Sequence, residues 1–173
     1  MIVTKEELEK YSGVYTDEEN NSQELYIESA EDILSSYLGY SPEVKSYSKF
    51  YDGNGFSDLR LGAKPIFILE SVSIDGVEQD LKNIDFDDDS IIIRNGVFPV
   101  GRKNIAVKFT AGFEKIPAIM KMTVLRIATL LQLESDSNIG VSSRSFQDNT
   151  RTFLNTKNYE PYLIQCSSYK LLA

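Results

Sequence analysis

Helical spacing of apolar residues stops at Pro42 and resumes only at Pro117, and this interruption constrains the fold more than any other feature of the chain. Between the two prolines the sequence runs in short alternating stretches separated by turn residues, the pattern of antiparallel strands. Tyr47 to Tyr51 leads to Gly53-Asn54-Gly55, Leu59-Arg60-Leu61 precedes Pro65, and Ile66 to Leu69 with Val72-Ser73-Ile74 leads into Asp75-Gly76. Ile91-Ile92-Ile93 runs into Asn95-Gly96, and Ile105, Val107 and Phe109 alternate with Ala106, Lys108 and Thr110 ahead of Ala111-Gly112-Phe113. Asp-Gly and Asn-Gly are strong hairpin signals, because type I′ turns need positive φ at both central residues. Gly53-Asn54-Gly55 reads as a hairpin turn too, since a dinucleotide fingerprint would need a third glycine where Asp58 stands, and no helix opens there. The stretch 44–113 is expected to form a β-meander.

The flanks are helical. Thr4-Lys5-Glu6-Glu7 fits a capping box and starts a helix over 4–11. Over 22–38, Tyr26, Ala30, Ile33, Leu34, Tyr37 and Leu38 recur at helical spacing, and Gly39 stands where a left-handed C-terminal residue is wanted. Pro117 suits the first position of a helix over 117–133, in which Ile119, Met120, Val124, Leu125, Ile127, Ala128, Leu130, Leu131 and Leu133 leave a narrow polar face. The expected class is α+β, a small helical bundle with the β-meander inserted between the second and third main helices. Residues 1–133 form the core of this scheme. In 134–173 a polar, serine-rich loop leads to an apolar, aromatic end. Lys121, Arg126 and Gln132 interrupt the third helix too often for a membrane span.

Composition removes most chemistry. The chain has no histidine and one cysteine, which excludes Ser-His-Asp and Cys-His catalysis and a zinc site of nitrogen and sulfur ligands. Cys166 reads as a small packing residue. Asp85, Asp87, Asp88 and Asp89 resemble a calcium loop, but Ser90 and Gly96 stand where glycine and glutamate are required. Ser46-x-x-Lys49 and Ser167-x-x-Lys170 lack the companion motifs of acyl-transferring enzymes. No metal or cofactor is expected. A carboxylate enzyme would need Asp58, Asp75 or the 85–89 cluster to converge in a cleft. The net charge of -8 opposes phosphate binding. Met1 runs into a polar, acidic stretch and not an apolar leader, so expression in a reducing cytoplasm is expected.

A helix as apolar as 117–133 must be covered on most sides, either inside its own subunit or between identical subunits. On the second alternative Ile33, Tyr37, Met120, Val124, Leu125, Ile127 and Leu131 are the candidate subunit interface.

The order of these elements resembles the head-tail connector adaptor family of long-tailed bacteriophages. The resemblance rests on Ile27-Glu28-Ser29-Ala30-Glu31-Asp32-Ile33 through Tyr37-Leu38-Gly39, Phe50 to Gly55, Leu59-Arg60-Leu61 with Pro65-Ile66, Ser71 to Gly76, and Val107-Lys108-Phe109-Thr110-Ala111-Gly112-Phe113 with Ile116-Pro117. It covers about Val3 to Leu133. It implies a structural role without a reaction: a ring of about twelve copies under the portal protein. Such a ring would extend the DNA channel, offer a platform to a head-closure protein and then the tail, and let double-stranded DNA pass without specific binding. Its place would be the virion's head-tail junction after assembly in the host cytoplasm, away from any membrane. The carboxyl-terminal segment would dock on the portal through Tyr159, Tyr162, Leu163, Ile164, Tyr169, Leu171 and Leu172, the alternative being a last helix on the subunit's own core. Another connector part, either a head-closure or a tail-completion protein, is the neighbouring reading.

Overall fold

The computed structural model describes residues 1–15, 22–135, 143–146, 149–152 and 159–171. The chain is α+β, and its contacts divide it into two compact units, Met1–Tyr37 with Pro117–Lys170 and Leu38–Ile116 with Leu171–Ala173.

The first unit is built on helices. In α1 (Lys5–Ser12) the Glu7 N–H donates to Thr4 Oγ1 at 3.3 Å and the Thr4 N–H donates to Glu7 Oε2 at 3.1 Å, the reciprocal cap that the sequence predicts. Gly13 closes α1 at φ 73°. Helix α2 (Ser22–Leu38) buries Gln23, Ile27, Ala30, Leu34 and Leu38, a single stripe at spacings of three and four. Helix α3 (Ala118–Ser135) buries Met120, Thr123, Val124, Ile127, Ala128 and Gln132 on one stripe in the same way. Near the end of the unit lie α4 (Glu160–Ile164) and a 3-10 turn, Ser167–Tyr169. No helix is long and apolar enough to cross a membrane among the described residues.

The second unit holds two antiparallel sheets. Strands β1 (Lys45–Gly53), β3 (Ile66–Ile74), β4 (Val77–Glu78) and β7 (Gly101–Ala111) form a sheet in the order β1-β7-β3-β4. Strands β2 (Asp58–Arg60), β5 (Ile84–Phe86) and β6 (Ser90–Ile93) form another in the order β2-β6-β5. Ile105, Val107 and Phe109 of β7 are buried while Lys108 is exposed, the alternation expected of a strand covered on one face. Leu59, Leu61, Val72, Ile91 and Phe98 complete this core.

The sheets correct the meander in three places. The last strand, β7, lies between β1 and β3, pairing Tyr47 with Phe109 on one side and Val72 with Val107 on the other. Its unbroken apolar alternation over Ile105–Phe109 fits it to be a central strand, and sequence order does not show that. Gly53-Asn54-Gly55 joins two different sheets, so it is no hairpin turn; Gly53 fits there because a Cβ would lie 1.8 Å from the Pro99 carbonyl oxygen. Asn95-Gly96 connects no hairpin either. The chain instead places Phe98 beside Gly55 and Phe56 through two backbone hydrogen bonds of 2.8 Å. Asp75-Gly76 does form the expected turn between β3 and β4, with φ 50° and 81°.

The Phe109-Thr110-Ala111-Gly112-Phe113 run ties three stretches of chain. The Gly112 N–H donates to the Pro65 carbonyl and the Phe113 N–H to the Pro42 carbonyl, both at 2.9 Å. Gly112 has φ 125°, and a Cβ there would come within 2.3 Å of the Glu43 carbonyl oxygen.

Candidate assembly surfaces

The expected subunit-interface residues separate by helical phase. Met120, Val124 and Ile127 are fully buried within their own chain, which corrects their assignment as contacts to a neighbour, since they have no surface left to offer. Ile33, Tyr37, Leu125 and Leu131 are half-buried. Leu133 is 53% exposed on the same helix. Between α1 and α3 lies a groove of about 310 Å³ lined by Glu7, Lys10, Tyr11, Lys121 and Leu125. Lys121 Nζ stands 3.3 Å from Glu7 Oε1 at its rim. Sequence spacing alone gives Leu125 and Ile127 the same weight. In the fold Ile127 is fully buried while Leu125 is half-buried on the wall of the groove beside α1.

The carboxyl-terminal residues are also divided. Leu163 and Cys166 are buried, Tyr159, Tyr162 and Tyr169 are half-buried, and Ile164 is exposed. The Thr123 hydroxyl lies 3.3 Å from the Tyr162 carbonyl oxygen and 3.4 Å from Cys166 Sγ. The Arg126 guanidinium sits 5.1 Å from the centre of the Tyr162 ring. The segment 159–170 thus packs on α3, the alternative that the sequence left open, and Leu163 is corrected from a docking contact to a core residue. Cys166 matches its expected packing role, and burial pushes its thiol pKa up. In the second unit the Leu171 N–H donates to the Leu38 carbonyl at 3.0 Å. Leu172 lies outside the described residues, as do 136–142 and 147–148 of the polar stretch 134–152, in which Ser143–Phe146 and Asn149–Thr152 pair as strands β8 and β9.

The acidic residues weighed for chemistry do not gather. Among the described residues no group of three or more carboxylate or thiol side chains is placed to hold a metal. Asp85 is held by a bidentate Arg94 at 2.6 Å, which lowers its pKa, and Asp88 lies 3.8 Å from Lys64 Nζ. Asp75 is spent on its turn and Asp58 stands exposed on β2.

A feature absent from the sequence reading is the condition of strand β1. Tyr47 stacks on Phe109 with ring centres 5.1 Å apart, and the Tyr51 hydroxyl donates to the Leu61 carbonyl at 2.7 Å. Burial pushes the Tyr51 phenol up to about 12. One face of β1 is therefore fixed on the core, while Phe50, on the other, is 69% exposed. The alternation of Tyr47, Lys49 and Tyr51 with Ser46, Ser48 and Phe50 signals a one-sided strand; its place at a sheet edge depends on β7.

Comparison with known proteins gives a family and a fold. A family model described as "Head completion protein" matches residues 1–166. No curated protein matches. Among solved structures, a chain in the virion of a native gene transfer agent particle is similar with a TM-score of 0.65 at 12% identity, covering 99% of this chain and 91% of that one. A chain in the neck of the empty particle, computed with C6 symmetry, gives a TM-score of 0.64 at 11% identity with the same coverage. The neck of the native particle, computed with C12 symmetry, supplies a chain with a TM-score of 0.59 at 11% identity, covering 89% of this chain and 84% of that one.

Proposed function

The chain belongs to the head completion protein family, and from that premise we propose that it forms a ring beneath the portal of a phage-like particle. The family match over residues 1–166, which takes in residues of both units, is the observation that carries the reading. The ring extends the DNA channel at the head-tail junction and offers the surface on which a head-closure protein and then the tail assemble. Likeness of fold to chains from a neck computed with cyclic symmetry agrees with such a ring, for which about twelve copies is the working number. The chain catalyses no reaction, assembles in the host cytoplasm and stays in the virion. Residues 1–133 serve as the adaptor core.

Ile33, Tyr37, Leu125 and Leu131 are the interface residues that keep surface for a neighbouring copy. Tyr159, Tyr162, Ile164 and Tyr169 are the surface for the portal, Tyr162 being held under Arg126 of α3. Tyrosine gives large contact area at low ordering cost, which suits that role. A charge of -8 per copy makes the ring repel phosphate, so DNA slides past without being gripped.

Co-sedimentation of the purified chain with its cognate portal protein and, separately, with tail-tube protein tests the proposal. The expected result is binding to portal alone. Binding to tail-tube protein and not to portal would place the chain in another connector part.

A further inference from the structure

We propose that the ring is closed by strand addition between copies, with the free edge of β1 pairing antiparallel to the free edge of β5 in the next copy. This rests on the ring reading above and adds its interface. Strand β1 is the outer strand of its sheet, β5 is the outer strand of the other, and each has one neighbour only among the described residues. An open edge leaves a row of backbone donors and acceptors ready for another chain.

The two edges are complementary in charge and in apolar content. Strand β1 carries Lys45 and Lys49 and no acid before Asp52, whereas β5 and its turn carry Asp85, Asp87, Asp88 and Asp89, of which Asp85 and Asp88 are already met by Arg94 and Lys64 and leave Asp87 and Asp89 to give the edge its negative charge. Lys49 lies over the Tyr47 ring at 4.8 Å, and among the described residues it has no carboxylate partner and the exposed Asp87 no cation. Each edge also exposes one aromatic ring, Phe50 at 69% and Phe86 at 42%. Antiparallel pairing that sets Phe50 opposite Phe86 sets Lys49 opposite Asp87 in the same register. Aromatic pairs and opposite charges are the cross-strand neighbours that stabilise a sheet.

The same logic disfavours pairing of β1 with itself. Self-pairing centred on Tyr47 would put Lys45 against Lys49, like charges directly opposite. It would also be two-fold and end at a dimer, whereas β1 on β5 is head-to-tail and can close a ring. The remaining edge of the β1 sheet, β4, has two residues and offers little to pair with.

Charge reversal in the full-length chain tests this, with assembly followed by light scattering in the presence of portal. Lys49→Glu and Asp87→Lys are each expected to lower assembly at least tenfold while leaving Tm unchanged, both positions being exposed. The double variant K49E/D87K is expected to recover to within about threefold of wild type. As a second readout, Lys49→Cys with Asp87→Cys in a Cys166→Ala background should form an intersubunit disulfide on mild oxidation. Rings on the portal from both single variants at wild-type strength, or rings in which the cysteine pair does not cross-link, would overturn the pairing and leave the ring reading intact. Loss of portal binding with self-assembly unchanged would assign β1 to the portal and overturn the second copy as its occupant. A wild-type chain that forms no ring with portal would overturn both.

Discussion

Gly112 has no tolerance for a side chain, because its φ is 125° and a Cβ added there would come within 2.3 Å of the Glu43 carbonyl oxygen. Gly112→Ala is therefore expected to cost about 2 kcal/mol or more. Thermal unfolding should show this as a fall in Tm of about 4 to 8 °C. Tyr51 gives a pH signature. Its phenol is pushed up to about 12 from 10.0 in the ordinary state, so the protonated form is the one favoured by folding. The resulting stability is complete below pH 10 and is lost as pH rises from there toward about 12. Tyr51→Phe should lower Tm at pH 8 by removing the hydrogen bond to Leu61, yet show a smaller further drop between pH 8 and 11 than wild type does. Ile127 and Leu125 look alike in sequence and differ in the fold. Ile127→Glu, at a fully buried site, is expected to cost about 4 kcal/mol or more and abolish folding, visible by circular dichroism. Leu125→Glu is expected to stay folded and lose ring formation on the portal.

At the scale of elements, the helices were legible because their signals are local. Thr4 and Glu7 announce the start of α1, Gly39 the end of α2, and apolar spacing from Met120 the phase of α3. Individual strands were legible for the same reason, as Asp75-Gly76 and the alternation of β7 show. The order of the sheet was not, since the pairing of Lys45 with Ala111 spans most of the unit and no local residue encodes it. Asn95-Gly96 shows how a turn dipeptide yields to tertiary context: Phe98, fully buried, pairs with Gly55 and Phe56 in place of a hairpin partner. The carboxyl-terminal segment was legible in composition and not in destination. Because Leu163 and Cys166 are buried against α3's unit, deleting 159–173 should destabilise the free subunit by about 3 kcal/mol. Differential scanning calorimetry should record a Tm lower by about 6 to 12 °C. An unchanged Tm would restore the independent docking arm.

For the whole molecule, a chain of net charge -8 spends Asp75 on a turn and Asp85 and Asp88 in ion pairs and leaves Asp58 and Asp87 exposed. Its surplus lies at its surfaces: half-buried leucines on α3, tyrosines seated beside them, and two open strand edges of opposite charge. These suit a subunit whose function appears only on assembly, and the sequence could show the surplus without showing where it lies. The most direct measurement is electron cryomicroscopy of the full-length chain mixed with purified cognate portal. The account predicts a closed ring coaxial with the portal, stacked on its outer end and continuing the channel. A chain that stays monomeric beside well-formed portals, or binds the portal's flank without closing a ring, would contradict it.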